Sequence, residues 1–257
     1  MLQVKRVIAS VSGKGGTGKS LTAANIAYAL KMRGKEVGIL DCDVRSPNIT
    51  CILGIDSNVQ LELNEDRRRV VKPLWNGIWV MSSAIFAANY RALTITGEQV
   101  ATFLRQTVVD FDWPVPLDFL ILDMDPSTGD SMKAVHEMFA DKLEFVIISS
   151  SDVSSLSDCK RMVNACNEKK PPIKIVGLAA NMVSSECPVC MEKIVCQKCH
   201  TEISFGDEAK VYALAAEKHI PYLGAIPFNP GIKSRTDAGN PILPNGVVMN
   251  NILERVL

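Results

Sequence analysis

The feature that most constrains this chain is an eight-residue segment, from Gly13 to Ser20, that fits the pattern G-x-x-x-x-G-K-[ST]. An apolar, β-branched run at residues 4–11 precedes it, and an amphipathic stretch at residues 20–32 follows it. Glycines adopt backbone angles closed to other residues, so consecutive N–H groups can converge on one anion. The pattern therefore predicts a phosphate-binding loop between a strand and a helix. In such a loop Lys19 reaches the β- and γ-phosphates, and the Ser20 hydroxyl coordinates Mg²⁺.

Short apolar runs alternate with amphipathic stretches along the whole chain. We predict strands at residues 4–11, 37–40, 78–81, 119–122, 145–148, 173–178 and 222–226. We predict helices at residues 20–32, 97–109, 131–139, 154–167 and 208–218. This alternation is typical of crossover units on a parallel sheet covered on both faces. With no evident internal repeat or linker, the sequence predicts an α/β fold of three layers, with a mostly parallel central sheet, in a single domain spanning residues 1–257.

Two segments depart from this alternation. Residues 56–74 mix three consecutive arginines with acidic residues, and such a run predicts a solvated excursion. The other is a short Cys-rich insertion at about residues 185–202, where the spacing C-x₂-C-x₅-C-x₂-C is formed by Cys187, Cys190, Cys196 and Cys199.

The four clustered cysteines predict metal binding rather than disulfides, because this spacing in a chain without a secretion signal is typical of a metal site. Thiolate is a suitable ligand for both zinc and iron–sulfur clusters, so the residue type leaves both open. The spacing is tight for a zinc ribbon, and the adjacent His200 is expected to be a bystander. Four isolated cysteines are predicted to be small core or helix residues, namely Cys42, Cys51, Cys159 and Cys166.

Composition argues against several classes of function. The chain holds 28 Lys and Arg residues against 28 Asp and Glu residues, and zero net charge argues against a wide basic face for nucleic acid. No apolar run reaches the roughly 20 residues that a membrane-spanning helix needs, and the N-terminus lacks the pattern of a signal peptide. Residues 247–257 carry one cation, Arg255, and predict a docked helix. We expect a cytoplasmic protein that binds neither nucleic acid nor membrane.

Acidic residues follow two of the predicted strands. Asp41 and Asp43 come directly after the run at residues 37–40, and Asp123 follows the run at residues 119–122. In open α/β sheets, ligands bind beyond the carboxyl ends of the strands. We therefore expect all three carboxylates to meet the phosphate-binding loop.

Lys14, a second lysine inside the loop, resembles the marker of the deviant P-loop ATPases, the group that includes MinD, ParA and the nitrogenase iron protein. Within that group, the chain resembles the Mrp/Nbp35 (ApbC-like) iron–sulfur carriers over nearly its whole length. Besides the loop, the resemblance rests on residues 40–43 (LDCD), 46–48 (SPN), 123–130, 181–182 (NM), 187–190 (CPVC), 224–227 (GAIP) and 239–242 (GNPI).

The resemblance implies an ATP-hydrolysing homodimer whose partners are apo iron–sulfur client proteins or assembly factors. It implies that Lys14 reaches the partner's phosphates, much as an arginine finger does, and that Asp43 orients the attacking water. Asp123 is implied to hold a Mg²⁺-bound water. Asp41 is implied to contact the groups that surround Mg²⁺ rather than the ion itself. A C-x-x-C from each protomer is implied to hold a [4Fe–4S] cluster. ATP contacts are implied at Gly13, Lys14, Gly15, Gly16, Thr17, Gly18, Lys19, Ser20, Leu21, Asn181 and Pro227. Asn181 and the loop at residues 227–230 are implied to flank adenine.

The chain also departs from the family. Its switch II segment, residues 123–128, reads DMDPST where the family reads DTPPGT. Ser127 in place of glycine is expected to restrict a loop that senses the γ-phosphate, and Asp125 adds a charge, so slow hydrolysis is expected. Arg45 and Ser46 replace the usual residues before the proline, and the second cysteine pair is additional.

Other functions remain open at this stage. A regulatory or positioning ATPase resembling MinD or ParA would combine the same loop with a structural zinc site. A reductase resembling the nitrogenase iron protein would use single cysteines far apart, and a targeting factor for tail-anchored proteins would carry a Met-rich insertion. The clustered cysteines at residues 187–199 do not match the reductase, and the ten methionines are scattered, which counts against the targeting factor. The favoured function is an iron–sulfur carrier or assembly scaffold, with ATP, Mg²⁺ and a [4Fe–4S] cluster, and with Zn²⁺ as the alternative metal.

Overall fold

A computed structural model describes residues 2–56, 59, 61–85, 96–113, 115–126, 129–243 and 246–257. In this part of the chain, strands and helices alternate largely as the sequence predicts. The strands are β1 (Val4–Val11), β2 (Val37–Asp41), β3 (Lys72–Trp75), β4 (Ile78–Met81), β5 (Leu117–Asp123), β6 (Leu143–Ser149), β7 (Lys174–Ser185) and β8 (Tyr222–Phe228). The helices are α1 (Lys19–Lys31), α2 (Ile49–Ile52), α3 (Gly97–Val109), α4 (Asp130–Phe139), α5 (Val153–Glu168), α6 (Glu208–Glu217), α7 (Pro230–Asp237) and α8 (Val247–Val256).

The strands of the described residues form one eight-stranded sheet in the order β3-β4-β2-β5-β1-β6-β7-β8. Neighbouring strands are parallel except for β3 and β4, which are antiparallel. The predicted α/β fold with a mostly parallel sheet is therefore confirmed. The register brings strand ends together, because Ser10 of β1 and Asp41 of β2 both pair with Asp123 of β5.

Helices cover both faces of the sheet and complete three layers. Side chains of α3, α4, α5 and α6 bury one face, for example Leu104 and Val135. Side chains of α1 and α8 bury the other face, for example Leu30 and Ile252. Successive strand residues point to opposite faces, so Leu120 of β5 joins the first cluster and its neighbour in the strand joins the second. A strand buried on both faces reads as a continuous apolar run, which is why the sequence predicts β5 correctly.

The predicted solvated excursion at residues 56–74 is wrong at its C-terminal end. Val71 is fully buried, and β3 pairs with β4 as an antiparallel edge strand. The four residues of β3 include a lysine and a proline, so neither length nor alternation indicates a strand. The sequence analysis also does not predict α2 and α7, which are four and eight residues long.

The C-terminal helix docks on the sheet as the sequence predicts. Val248, Ile252, Leu253 and Val256 are buried along one side of α8. Packing of this face against α1 and β8 accounts for its apolar residues. None of the helices in the described ranges combines the length and the hydropathy needed to cross a bilayer.

Leu120 lies near the middle of β5 and is completely buried. We expect Leu120→Ala to lower the free energy of unfolding by about 2–5 kcal/mol, because lost apolar burial and the cavity left behind add together. The control is Val109→Ala at the exposed end of α3, which we expect to change it by less than about 0.5 kcal/mol. Urea denaturation followed by circular dichroism measures both. Equal effects of the two substitutions would contradict this core position.

Candidate functional site

The segment at residues 13–18 forms a loop between β1 and α1, at the carboxyl edge of the sheet. Gly16 (φ 78°) and Gly18 (φ 91°) take left-handed backbone angles that residues with side chains rarely adopt. A buried hydroxyl supports the end of the loop, because Ser10 Oγ donates a 2.9 Å hydrogen bond to the carbonyl oxygen of Lys19. The loop therefore has the conformation of an anion-binding site at the N-terminus of α1.

Two glycines let neighbouring elements approach this loop closely. A Cβ atom on Gly18 would lie 2.3 Å from Nδ2 of Asn181 on β7. A Cβ atom on Gly13 would lie 2.1 Å from Cβ of Asp158 on α5. Asn181 uses the short distance to donate a 2.7 Å hydrogen bond from Nδ2 to the carbonyl oxygen of Thr17. The loop is thus held between β7 and α5, and both contacts require glycine.

Lys19 lies beside the predicted acidic residues. Burial lowers the pKa of the Lys19 ammonium group, and the carboxylates of Asp123 and Asp43 oppose that change. Burial raises the pKa of Asp123 to about 7, although a hydrogen bond with the Ser20 hydroxyl acts in the opposite direction. The structure therefore brings together four of the predicted site residues: Lys19, Ser20, Asp43 and Asp123.

The Asp123 carboxyl group fits a place beside Mg²⁺. Its Oδ1 atom is buried and has no hydrogen-bond partner among the described residues. A buried carboxylate oxygen without a partner is unfavourable unless a cation or water satisfies it. The Ser20 hydroxyl beside it adds a second oxygen donor, and oxygen donors are the ligands that Mg²⁺ prefers.

Asp41 differs from these residues, because neighbouring groups already occupy its carboxylate. Its Oδ2 atom accepts hydrogen bonds from the Ser82 hydroxyl at 2.9 Å and from the Ile49 amide at 3.4 Å. Its Oδ1 atom accepts a 3.1 Å bond from the Asp43 amide. Burial and the nearby charge of Asp123 raise the pKa of Asp41 well above its usual range. These contacts join the end of β2 to the start of α2 and to the residue after β4.

Two adjoining cavities lie over the loop. An open cleft of about 460 Å³ is lined by three of the loop glycines and by Asp43 and Asp123. A pocket of about 200 Å³ is lined by Asn181, Pro227 and several apolar side chains. Gly18 and Leu21 line both cavities, so the cleft and the pocket adjoin. A ligand with phosphates in the cleft would extend into the pocket. Apolar walls with a few polar groups are typical of a site for a nucleotide base.

Lys14 contacts its own chain. Its Nζ atom lies 3.0 Å from Oγ of Ser154 and 3.3 Å from Oδ1 of Asp152, at the start of α5. Asp152 caps α5, and hydrogen bonds from the hydroxyls of neighbouring serines hold the pKa of Asp152 well below its usual range. Both members of the Lys14–Asp152 ion pair are about half exposed. The predicted contact of Lys14 with a partner's phosphates requires this pair to separate.

The four clustered cysteines form two separate pairs beyond the end of β7. Within each pair the two thiols are close enough to hydrogen-bond, Cys187 with Cys190 and Cys196 with Cys199. Across the described ranges, no three Cys, His, Asp or Glu side chains are placed so that they could hold one metal ion. The structure therefore presents two sites of two thiols each.

Local donors stabilise thiolate in both pairs. Backbone N–H groups of Cys190 and Val189 lower the pKa of Cys187. The Thr201 hydroxyl lowers the pKa of Cys199 to about 7. Burial instead raises the pKa of both Cys159 and Cys166 to about 12. Those two thiols and Cys42 are core residues, and Cys51 lies exposed on α2, as the sequence predicts.

Asn229 lies in the loop at residues 227–230 that the resemblance places beside adenine, but the sequence analysis gives it no role of its own. It lines the pocket beside Pro227, and its Oδ1 atom accepts a 2.8 Å hydrogen bond from the Gly231 amide at the start of α7. Its Nδ2 atom lies 3.5 Å from Sδ of Met191, the residue after Cys190. An asparagine before Pro-Gly is a helix N-cap signal that could have identified α7. The predicted effect of Ser127 in switch II falls, with Thr128, outside the described residues.

A parallel sheet with a two-lysine phosphate loop at its carboxyl edge defines a P-loop NTPase of the deviant group. A sequence model of the ParA family, described as NUBPL iron-transfer P-loop NTPase, matches residues 3–256. The chain therefore belongs to this family, and the resemblance seen in the sequence is confirmed.

Curated relatives agree with this assignment. The iron–sulfur cluster carrier protein of Methanococcus maripaludis is 32% identical, over 100% of this chain and 87% of the relative. The mouse iron–sulfur cluster transfer protein NUBPL is 31% identical, over 93% of this chain and 71% of the mouse protein.

Solved structures support the fold. The nucleotide-binding protein of Archaeoglobus fulgidus, in complex with ADP, superimposes with a TM-score of 0.69 at 24% identity, covering 93% of this chain and 88% of the other. The cell-division ATPase MinD of Pyrococcus furiosus superimposes with a TM-score of 0.63 at 21% identity, covering 98% of each chain.

Gly18 tests the geometry of the loop. We expect Gly18→Ala to weaken ATP binding by about tenfold or more, because a side chain at this left-handed angle is strained and meets Asn181. Gly246→Ala is the control, since its Cβ atom would meet only an ordinary contact at 3.7 Å and its φ is not left-handed. Calorimetric titration measures both affinities. Unchanged affinity in Gly18→Ala would contradict the assignment of this loop.

Proposed function

We propose that this protein is an ATP-dependent iron–sulfur cluster carrier that acts as a homodimer, each chain forming one ATPase domain over residues 1–257. Its cargo is a [4Fe–4S] cluster that it passes to apo client proteins or assembly factors. The observation that carries this proposal is the course of β7. Asn181 in this strand supports the phosphate loop, and Cys187 follows the end of the strand by two residues. Names of the relatives, a cluster carrier and a cluster transfer protein, support the choice of cargo.

The cleft over the loop is the site for the ATP phosphates. Backbone N–H groups at residues 13–18 bind the oxygens, and Lys19 balances the charge of the β- and γ-phosphates. Ser20 and Asp123 supply the surroundings of Mg²⁺, which would neutralise charge on the phosphate oxygens. Asp43, half-buried at the cleft, orients the attacking water. Lys14 of each chain reaches the phosphates of the other, and adenine occupies the pocket beside Asn181 and Pro227.

The cluster site consists of Cys187 and Cys190 from each of two chains. A [4Fe–4S] cluster takes four thiolates, whereas one chain offers two at this place. No third Cys, His, Asp or Glu side chain in the described part of the chain joins the pair. A second copy is therefore the source of the missing ligands. Four thiolates from two chains would also suit zinc, so the choice of a cluster over the structural zinc of the regulatory alternative rests on the names of the relatives.

Contacts between the pocket and the cysteine loop offer a way for nucleotide to influence the cargo. Asn229 in the pocket wall contacts Met191 at 3.5 Å. Pro188, between the two cysteines, packs closely on Gly231. A Cβ atom added to Gly231 would lie 3.1 Å from the Cβ atom of Pro188. A shift of the loop before α7 on adenine binding would therefore move two residues of the cysteine loop, one between the two cysteines and one directly after them.

The main test combines mass measurement with metal analysis. After anaerobic reconstitution with iron and sulfide, we expect ATP to favour a dimer that carries iron–sulfur cluster. Lys14→Ala is expected to bind ATP but to lose at least about tenfold in hydrolysis, because charge stabilisation in trans is lost. Cys187→Ser/Cys190→Ser is expected to keep ATP-dependent dimerisation and to lose iron.

The matched control for the cysteine variant is Val189→Ala, at an exposed position between the two thiols. It should keep the iron content of the wild-type protein. A colourless zinc protein, or a cluster retained by a monomer in light scattering, would contradict the proposed function.

Asn229→Asp separates the two bonds made by one side chain. The carboxylate still accepts from the Gly231 amide and caps α7, but it can no longer donate to Met191. At saturating nucleotide, we expect the difference in the rate of iron loss to a chelator between ATP and ADP to shrink by about threefold or more. Asn164→Asp on the exposed side of α5 is the control. A difference as large as in the wild-type protein would rule out this coupling.

A further inference from the structure

The cysteine insertion contains a short tandem repeat that the sequence analysis does not detect. Residues 186–194 read ECPVCMEKI, and residues 195–203 read VCQKCHTEI. Cysteines occupy the second and fifth places of each nine-residue unit, and isoleucine occupies the ninth. Only three of nine positions are identical, which is why the sequence alone does not distinguish a repeat from two unrelated pairs.

The two units fold in the same way. In the first, the Cys187 amide donates to the carbonyl of Glu192 at 2.8 Å, and the Met191 amide donates to the carbonyl of Cys187 at 3.0 Å. Equivalent bonds occur nine residues later. The Cys196 amide donates to the carbonyl of Thr201 at 2.9 Å, and the His200 amide donates to the carbonyl of Cys196 at 2.8 Å. Antiparallel bridges close both loops at the same places, Glu186 to Lys193 and Val195 to Glu202.

Each loop holds a strained residue immediately after its second cysteine. Met191 has φ 62° and His200 has φ 57°, both in the left-handed region that side chains disfavour. Such an angle is unfavourable and persists where the surrounding structure imposes it, often at ligand-binding turns. The same strain at the same place means that the second loop is built to the same geometry as the first.

Backbone hydrogen bonds connect the two loops to each other and to the end of β7. The Ile194 amide donates to the carbonyl of Ser185 at 3.0 Å, and the Ile203 amide donates to the carbonyl of Ile194 at 2.8 Å. An ion pair of 3.0 Å joins Lys193 of the first loop to Glu202 of the second. In both loops the first cysteine is half-buried and the second is exposed.

We propose that Cys196 and Cys199 form a second two-thiolate site for an iron–sulfur cluster, equivalent to Cys187 and Cys190 and separate from it. The inference rests on the proposed function, because the remaining ligands of each cluster come from the second copy in the dimer. The separation of the pairs argues against a single four-thiol site within one chain. The dimer then carries two clusters, and cargo capacity is doubled relative to a carrier with one pair.

Iron and acid-labile sulfide, measured per chain after anaerobic reconstitution, test this assignment. We expect about four iron atoms per chain in the wild-type protein, two clusters being shared by two chains. We expect about two in either Cys187→Ser/Cys190→Ser or Cys196→Ser/Cys199→Ser, and none in the protein with all four substitutions. Gln197→Ala, between the cysteines of the second loop, is the control and should keep the wild-type content. Circular dichroism checks that each variant is folded.

The possible outcomes separate the two proposals. Full iron content in Cys196→Ser/Cys199→Ser, with complete loss in Cys187→Ser/Cys190→Ser, overturns the second site and leaves the proposed function intact. Complete loss of metal in both double variants, with one metal ion per chain in the wild-type protein, indicates one four-thiol site and also overturns it. A wild-type protein that takes up no iron contradicts the proposed function itself. The electron paramagnetic resonance signal of the reduced protein gives a second readout, because removal of either pair should halve its intensity.

Discussion

A single buried hydrogen bond joins the two halves of the functional site. Nδ2 of Asn181 donates to the carbonyl oxygen of Thr17 at 2.7 Å, with Gly18 making room for the amide. Asn181 still has one N–H and one oxygen lone pair beyond its bonds to Thr17 and the Met182 amide. The same strand continues to Ser185, where the cysteine loops begin. The position of the phosphate loop and the origin of the thiol loops are therefore set by one strand.

The nucleotide cleft brings several carboxyl groups close together before any ligand binds. Asp41, Asp43 and Asp123 lie at the ends of adjacent strands, and burial raises the pKa of each. Lys19 faces both Asp43 and Asp123, and Arg45 also lies near Asp43. Burial lowers the pKa of Lys19. Such a cluster is unfavourable for folding, and binding of a cation relieves the repulsion, so bound ligand stabilises the folded state. The carboxylates are thus arranged for ligand binding at some expense of stability.

The sequence predicts those parts of the site that local rules determine. Glycine angles and a lysine at a fixed spacing define the phosphate loop, and parallel strands carry Asp43 and Asp123 to the same edge. It does not predict contacts between distant segments, such as Lys14 with Asp152, which are 138 residues apart. The edge strand β3 is also missed, because four residues that include charge and proline carry no periodicity. Cysteine spacing indicates metal binding but does not determine whether the two pairs converge.

The contact of Lys14 with its own chain bears on the proposed dimer, because Lys14 must leave Asp152 before it can reach a partner. An exposed ion pair is worth only about 0.2–1 kcal/mol, and the Lys14–Asp152 pair is about half exposed on both sides. In the proposed dimer, a bound triphosphate would carry more negative charge than Asp152 and would be less hydrated. The attraction between Lys14 and the phosphates would therefore be stronger than that between Lys14 and Asp152. Asp152 is also satisfied without Lys14, because neighbouring serine hydroxyls and the Ser155 amide donate to it. Lys14 can therefore leave Asp152 at little cost, as the proposed contact with a partner's bound phosphates requires.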